Sequence, residues 1–472
     1  MVNLGVDVGG TGCKCAAFQE NGRQIALSYK EYPMAQGAVS ISPALLTECV
    51  FDVIRQCAAQ VTDEICAITV SSFGESFAAL DENGQPLSDI TLYFGASEND
   101  AFSRLVETAG EERFMQIAKI MPSCAYSLAK MLQFPHAAKF LFVAGFVCFK
   151  LSGIAATDES LACRSLLYDV QNGCWSEELL HLAGLSESQL PQVRPMGTIL
   201  GTLLPEVAQE LGLPRTVSVV LGCHDQIAAA LGAGISLPGD AVDMCGTCEC
   251  LTPMFSAIPP AEFTKRNFAC VPYSGGYVTY AYNISAGSVV RWFRNTFGQS
   301  YEQMNKLCPT TPTDLICLPF LQGMGGTPDT DPSAVGTITG LTTSTTLPEL
   351  YRGILEGITY ELRYNMELLE QFGVSVRQLR AAGGGARSVP WLQIKADILG
   401  IPIVPILEEE TGAMGSAILG FAAVRHMPAE QIAKDFLRCG EAILPQKHHV
   451  EIYNEKYKRY CAIRQQYTER RI

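Results

Sequence analysis

The chain has 472 residues, 48% apolar and 17% charged, which fits a folded protein of two or three domains and excludes disorder at scale. Lys and Arg total 34 against 48 Asp and Glu, a formal charge of −14. With no basic stripe, nothing favours a nucleic-acid partner. The 18 cysteines are scattered from Cys13 to Cys461, and Met1 opens no basic-then-apolar leader. They read as reduced core thiols in a cytoplasmic protein. Only Cys245-Gly-Thr-Cys248-Glu-Cys250 clusters, and it lacks a second pair at zinc spacing.

The first element is a strand over Asn3–Val8 ending in Gly9-Gly10-Thr11, followed by strands over Cys13–Phe18 and, after the Glu20-Asn21-Gly22 turn, Gln24–Tyr29. A helix is expected from about Ala44 to Gln60 and a strand over Ala67–Ser72. Phe140–Phe149, apolar between Lys139 and Lys150, is half the length a bilayer requires and reads as a buried helix, so no membrane partner is expected. A strand over Val217–Leu221 leads through Gly222-Cys223-His224-Asp225-Gln226 into a helix over Ile227–Gly234. Asp243-Met-Cys-Gly-Thr247 then echoes Asp7-Val-Gly-Gly-Thr11, 236 residues later. Strand-like runs such as Gly276–Asn283 follow, then helices over Tyr351–Phe372 and, after Gly383-Gly384-Gly385-Ala386-Arg387-Ser388, over Trp391–Leu399. The alternation is α/β. The echo implies two lobes, residues 1–238 and 239–472, each opening with a glycine-tipped hairpin and facing one another across a cleft, with the boundary near Pro238-Gly239.

No Gly-x-x-x-x-Gly-Lys-Ser/Thr segment is present, and Gly10-Thr11-Gly12 and Gly383-Gly384-Gly385 both miss the third glycine of a dinucleotide fingerprint. A glycine hairpin tip can still offer backbone N–H groups to phosphate, with the Thr11 hydroxyl as a further donor. Asp7, just before the tip, is placed to hold a hydrated magnesium ion. The plain alternative is a hairpin in which glycine serves the turn. Asp225 stands at a strand end, where it can cap a helix or take a proton from a substrate hydroxyl. His224 reads as a packing neighbour. The three glycines from Gly383 suit a flat adenine and its ribose, or simply a tight strand–helix turn.

In this order the motifs resemble the FGGY carbohydrate kinase family, of the actin/hexokinase-like superfamily, over nearly the whole chain. Asp7-x-Gly-Gly-Thr11 and Gly246-Thr247 are similar to its two phosphate motifs, Gly222-Cys-His-Asp225-Gln226 to its Gly-x-x-Asp segment, and Gly383–Ser388 with Asp397-Ile-Leu-Gly400 to its adenosine segment. Thr157-Asp158-Glu-Ser160, Trp175-Ser-Glu-Glu178, Leu318-Pro-Phe320, Glu356-Gly357 and Glu410-Thr-Gly-Ala-Met-Gly415 also match. The resemblance implies two ribonuclease-H-like lobes around a cleft, the first binding sugar and phosphate and the second nucleotide. It implies ATP and Mg²⁺ as cofactors, a sugar, polyol or sugar derivative as acceptor, and a homodimer. It assigns Asp225 as general base and Asp7 to magnesium through water. Gly9, Gly10, Thr11, Lys14, Gly246, Thr247, Gly383, Gly384, Gly385, Ala386 and Arg387 would hold nucleotide; Ser72, Glu75, His224 and Asp225 would line the acceptor.

Two departures stand out. Where many members carry Trp-x-Asp-x-Arg after the Asp81–Gly84 turn, this chain has Tyr93-Phe-Gly-Ala-Ser97, so the carboxylate falls on Gly95 and the arginine on Ser97. Gly323-Met-Gly-Gly-Thr-Pro328 replaces Gly-Glu-Arg-x-Pro. Glu75 retains a carboxylate where glycerol kinases have one. Fewer charged groups imply an acceptor that lacks or modifies one hydroxyl, with plain D-xylulose and glycerol poor substrates. The departures also leave two alternatives: a non-catalytic ATP- or sugar-responsive regulator on the same fold, and an actin-like or chaperone-like ATPase, which should lack a base at Asp225.

Overall fold

The computed structural model of the protein describes residues 1–35, 37–95 and 99–469. The chain divides into two compact units. One comprises Met1–Ser236, Cys270–Gly275 and Glu410–Leu437; the other comprises Leu237–Ala269, Gly276–Glu409 and the chain from Arg438. The first crossing thus falls between Ser236 and Leu237, beside Pro238-Gly239, but Glu410–Leu437 returns to the first unit instead of staying with the second lobe.

The first unit is built on a six-stranded sheet ordered Ile199–Thr202, Ser218–His224, Ile65–Ser72, Val2–Val8, Gly12–Gln19, Gln24–Glu31. Val2–Val8 pairs antiparallel with Gly12–Gln19 and parallel with Ile65–Ser72, which makes it central and explains why all of it but Asp7 is buried. Helix Pro43–Ala58 buries Leu46, Val50, Val53, Ile54 and Cys57 at helical spacing, with proline in its first turn. The apolar run Phe140–Phe149 is not one helix. Lys139–Phe142 is a strand paired antiparallel with Phe77–Leu80, and the helix spans Val143–Ser152. Hydrophobicity alone could not separate the two, because both elements are buried on every side.

Helix Thr411–Arg425 explains why its segment belongs to this unit. A Cβ added at Gly415 would stand 1.8 Å from Ala228 O of helix Asp225–Gly232, and one at Gly5 1.9 Å from Ala413 O. The helix lies in backbone contact with both the central strand and the Asp225 helix, and only glycine permits that approach.

The second unit repeats the plan. Its sheet runs Gly276–Val278, Glu249–Phe255, Asp240–Cys245, Gln378–Ala382, Ile403–Pro405, with Ala281–Asn283 also paired to Glu249–Phe255; the single strand expected over Gly276–Asn283 is therefore two. Asp240–Cys245 pairs antiparallel with Glu249–Phe255 and parallel with Gln378–Ala382, the arrangement of the first hairpin. Helix Leu347–Gln371 begins one turn before Tyr351, because Thr346 and Glu349 form a capping box. The buried Glu356 carboxylate ties helix Lys447–Glu469 to it, accepting from Arg352 Nε (3.0 Å), Tyr453 OH (2.7 Å) and Lys456 Nζ (2.7 Å). None of the 18 cysteines forms a disulfide. No helix among the described residues is long and apolar enough to cross a membrane.

Gly415→Ala should lower stability by about 1–3 kcal/mol, outweighing the roughly 1 kcal/mol that alanine gains over glycine in a helix. The urea midpoint of the purified protein checks this. An unchanged or higher midpoint would show that the helices can separate at no cost.

Candidate active site

In the first unit the strand–hairpin tip and two helix starts meet. Gly9 N–H donates to Gly12 O (2.9 Å), which closes the tip and leaves the Thr11 side chain exposed. Asp7, at the last turn of the strand before the tip, has Lys14 as its cross-strand register partner. Lys14 Nζ stands 2.8 Å from Glu410 Oε2 and 3.6 Å from Asp7 Oδ2. Burial lifts the Asp7 carboxyl above its usual range; Lys14 opposes that and Glu410 adds to it. Two carboxylates therefore share one ammonium, and the surplus negative charge suits a cation held through water. Among the described residues no three His, Cys, Asp or Glu form a direct metal cage.

Asp225 is the first residue of its helix, and His224 is the N-cap, its Nδ1 accepting from Gln226 N–H (3.2 Å). Asp225 Oδ1 lies 3.1 Å from His224 Nδ1, and the Asp225 side chain is 27% exposed. Burial pushes its carboxyl up to about 8, with the Asp7 and Glu75 charges adding. Burial also drives the His224 imidazole down to about 4, so at neutral pH it is uncharged. The capping role expected as the alternative for Asp225 thus belongs to His224.

Glu75 is 7% exposed. Its carboxyl stays below the usual range although burial opposes this, because the Arg164 guanidinium is paired with it. Ser72 is buried, its Oγ donating to Phe73 O (2.9 Å) and accepting from Ala144 N–H (3.0 Å). The structure places that hydroxyl in the backbone network of the strand end. Asp158 and Ser160 sit on a short helix whose Ser160 Oγ accepts from His224 N–H (2.9 Å). Sequence reading singled out neither Arg164 nor Lys130, which faces Glu75 from another helix; isolated cations carry no motif, and only the fold brings them to the carboxylate.

In the second unit a cavity of about 380 Å³ is lined by Cys245, Gly246, Thr247, Gly384, Gly385 and Arg387, together with Val290, Arg291, Tyr301, Asn305, Tyr351, Ser388 and Trp391. Gly383 and Ala386 shape the turn behind it. Gly383 has φ 78°, and a Cβ there would meet Cys245 O at 2.8 Å. By contrast, a Cβ at Gly246 or Gly384 would meet nothing nearer than 3.9 Å, so both backbones face open space. Ser388 Oγ (2.8 Å) and Tyr351 OH (3.1 Å) donate to Asn305 Oδ1, which turns the Asn305 amide donors elsewhere. Arg387 is exposed and paired with Glu409. The volume and its mixed lining fit a nucleoside.

The repeated aspartate has diverged. Asp243 is fully buried against Lys395, whose Nζ is also 2.7 Å from Glu249 Oε1. It is committed to that ion pair, whereas Asp7 stays part-exposed beside the first tip.

Residues 2–232 match the N-terminal domain, and residues 244–424 the C-terminal domain, of the FGGY family of carbohydrate kinases. The chain belongs to that family. A xylulose kinase of Bacillus subtilis (strain 168) is 27% identical, over 97% of this chain and 95% of that protein. A gluconokinase of the same organism is 26% identical, over 92% and 93%. The crystal structure of a "xyloylose kinase" from Brucella ovis superposes with a TM-score of 0.89 at 24% identity, over 98% of both chains, which places the fold. The protein is a carbohydrate kinase, and the FGGY family uses ATP as phosphate donor.

Against the family pattern, Tyr93–Gly95 forms one 3₁₀ turn whose Tyr93 and Phe94 rings are about half exposed. A Cβ at Gly10 would lie 2.9 Å from Tyr93 Cε1, so aromatic rings cover the first hairpin tip. Ser97 lies outside the described residues. The Gly323–Pro328 segment is pinned to strand Ala281–Asn283, with Thr327 N–H donating to Tyr282 O (3.1 Å) and Tyr282 N–H to Thr327 Oγ1 (3.0 Å).

Restoring the family's carboxylate as Gly95→Asp should fail, because a Cβ there would lie 2.5 Å from Val39 O and 2.7 Å from Val39 Cβ. The expected result is a lower melting temperature with no fall in acceptor KM. A lower KM at unchanged stability would show that the turn had been left free to bind.

Proposed function

We propose that the protein transfers a phosphoryl group from ATP to a hydroxyl of a sugar, polyol or sugar derivative, with Asp225 as general base. One observation carries the reading: a carboxylate at a strand end, part-exposed, set beside Asp7 and Glu75 and held near pKa 8, which is where a base working at neutral pH belongs. Asp225 accepts the acceptor's hydroxyl proton as the oxygen bonds to the γ-phosphorus and the bond from that phosphorus to the bridging oxygen breaks, releasing ADP. Glu75 accepts a hydrogen bond from another acceptor hydroxyl, and neutral His224 packs beside the base without adding charge. The cavity at Gly246, Thr247, Gly384 and Gly385 would take the nucleoside and its phosphates through backbone N–H groups other than that of Gly246, which closes the hairpin on Cys248 O. Asp7 would hold magnesium through water, with Lys14 and Glu410 adjusting the local charge. The ion, when bound, supplies positive charge that a chain of −14 otherwise lacks. Relatives named for xylulose and gluconate support a monosaccharide-sized acceptor.

Asp225→Asn should lower turnover by about 10²–10⁴-fold and leave nucleotide affinity nearly unchanged. In the unsubstituted enzyme kcat/KM should rise with pH toward about 8, as the Asp225 carboxyl loses its proton, and the variant should lose that limb. Steady-state rates with an ATP titration decide it, using a panel in which each sugar is paired with its deoxy analogue. Near-normal turnover in the variant would return Asp225 to a structural role.

Turnover should require magnesium, and Asp7→Ala should shift the magnesium dependence to higher concentration by about tenfold or more, the order seen when a metal site's supporting group is lost. Full activity in excess chelator would rule this out.

A further inference from the structure

We propose that Lys130 and Arg164 form a two-cation clamp that positions Glu75 toward the acceptor, making them positioning residues for the transfer; this rests on the reading of Glu75 above. The first observation is conformational. Glu75 has φ 62°, a left-handed backbone that a glutamate rarely adopts and that persists only where its surroundings impose it. The second is what imposes it. Lys130, 5% exposed, donates from Nζ to Glu75 O and to Ala125 O, both at 2.8 Å, so a buried ammonium grips the backbone of the strained residue itself. Burying that charge is costly, and its pKa has fallen to about 8. An apolar side chain would fill the same space without the cost, but it could hold neither carbonyl.

The third observation is at the other end of the residue. Arg164 Nε and Nη2 both engage Glu75 Oε1, so the guanidinium fixes one carboxylate oxygen, and the hydroxyl contact of this proposal falls to the other. The guanidinium rests 4.9 Å from the Tyr126 ring centroid, which sets its plane. Arg164 also closes the short helix Glu159–Cys163, whose Ser160 holds His224 N–H. One element therefore sets Glu75 through Arg164 and the residue before the base through Ser160. A shift of that helix would move the acceptor contact and the base together.

The experiment uses full-length enzyme with D-xylulose, D-gluconate and L-fuculose as probes, continuing with whichever is turned over best. Arg164→Met and Lys130→Met should each raise acceptor KM by about ten- to hundredfold, the loss of one hydrogen bond to a charged group, with kcat and ATP KM within about threefold. Arg164→Lys should recover part of the loss, because an ammonium can pair with Glu75 but cannot fork onto it. In a Glu75→Gln background, Arg164→Met should add less than about threefold, since residues acting through one group are not additive. If the Met variants do not fold, the KM-without-kcat effect of Arg164→Lys alone carries the test. Unchanged acceptor KM, equal loss of kcat and ATP affinity, or a full additional effect on Glu75→Gln would each overturn the clamp. Failure of the unsubstituted enzyme on all three probes would instead overturn the reading on which it rests.

Discussion

The backbone contact of helix Thr411–Arg425 with the central strand and with helix Asp225–Gly232 is the constraint on which the first unit's chemistry depends. Four glycines remove the side chains that would keep these elements apart: Cβ atoms at Gly5, Gly232, Gly415 and Gly420 would stand about 2 Å from neighbouring atoms. At that separation Glu410, at the N-cap of the helix, reaches Lys14 beside Asp7, and the start of the neighbouring helix carries Asp225. Carboxylates are thereby concentrated in a poorly solvated volume. The raised pKa values of Asp7 and Asp225 are direct consequences of that packing. The helix is distant in sequence from what it touches, so no local signal ties Glu410–Leu437 to the first unit.

The duplicated hairpin shows how one backbone plan can take up different chemistry. Both hairpins put their first strand between an antiparallel partner and a parallel one, and both close their tip with a similar backbone bond, Gly9 N–H to Gly12 O and Gly246 N–H to Cys248 O. Asp7 opposes Lys14 in register, whereas Asp243 opposes Leu251 and turns to Lys395. The second aspartate is a structural ion-pair member in a cluster where burial lifts Glu249 to about 7, and the first remains part-exposed. The five-residue echo in the sequence was a true report of backbone and a misleading report of side-chain role.

Much of the fold was legible because its elements announce themselves locally. The glycine-tipped hairpins and the apolar spacing of helix Pro43–Ala58 are short-range signals. The failures have a common cause. Phe140–Phe149 is buried from every direction, so its composition carried no periodicity to separate strand from helix. Ser72 shared a motif with Glu75, yet strand geometry turned its hydroxyl into the backbone network. Arg164, Lys130 and Asn305 were invisible because their partners lie tens of residues away, and nothing in a single sequence records such pairings.

The acceptor side assigns roles through displacements that run in opposite directions within one small group of side chains. Burial acts on all of them, disfavouring charge on Asp225, His224 and Lys130 alike. Glu75 alone among the carboxylates keeps its charge more firmly than in water, because a guanidinium is paired with it. The result is one carboxylate fixed as an acceptor of hydrogen bonds, one imidazole fixed as neutral, and one carboxylate left near the pH at which it can exchange a proton. A single desolvated environment would have neutralised every group; the placement of two cations against Glu75 breaks that uniformity. Of these groups only Asp225 is left close to neutral pH, so under the proposed function it would exchange the proton while Glu75 would bind.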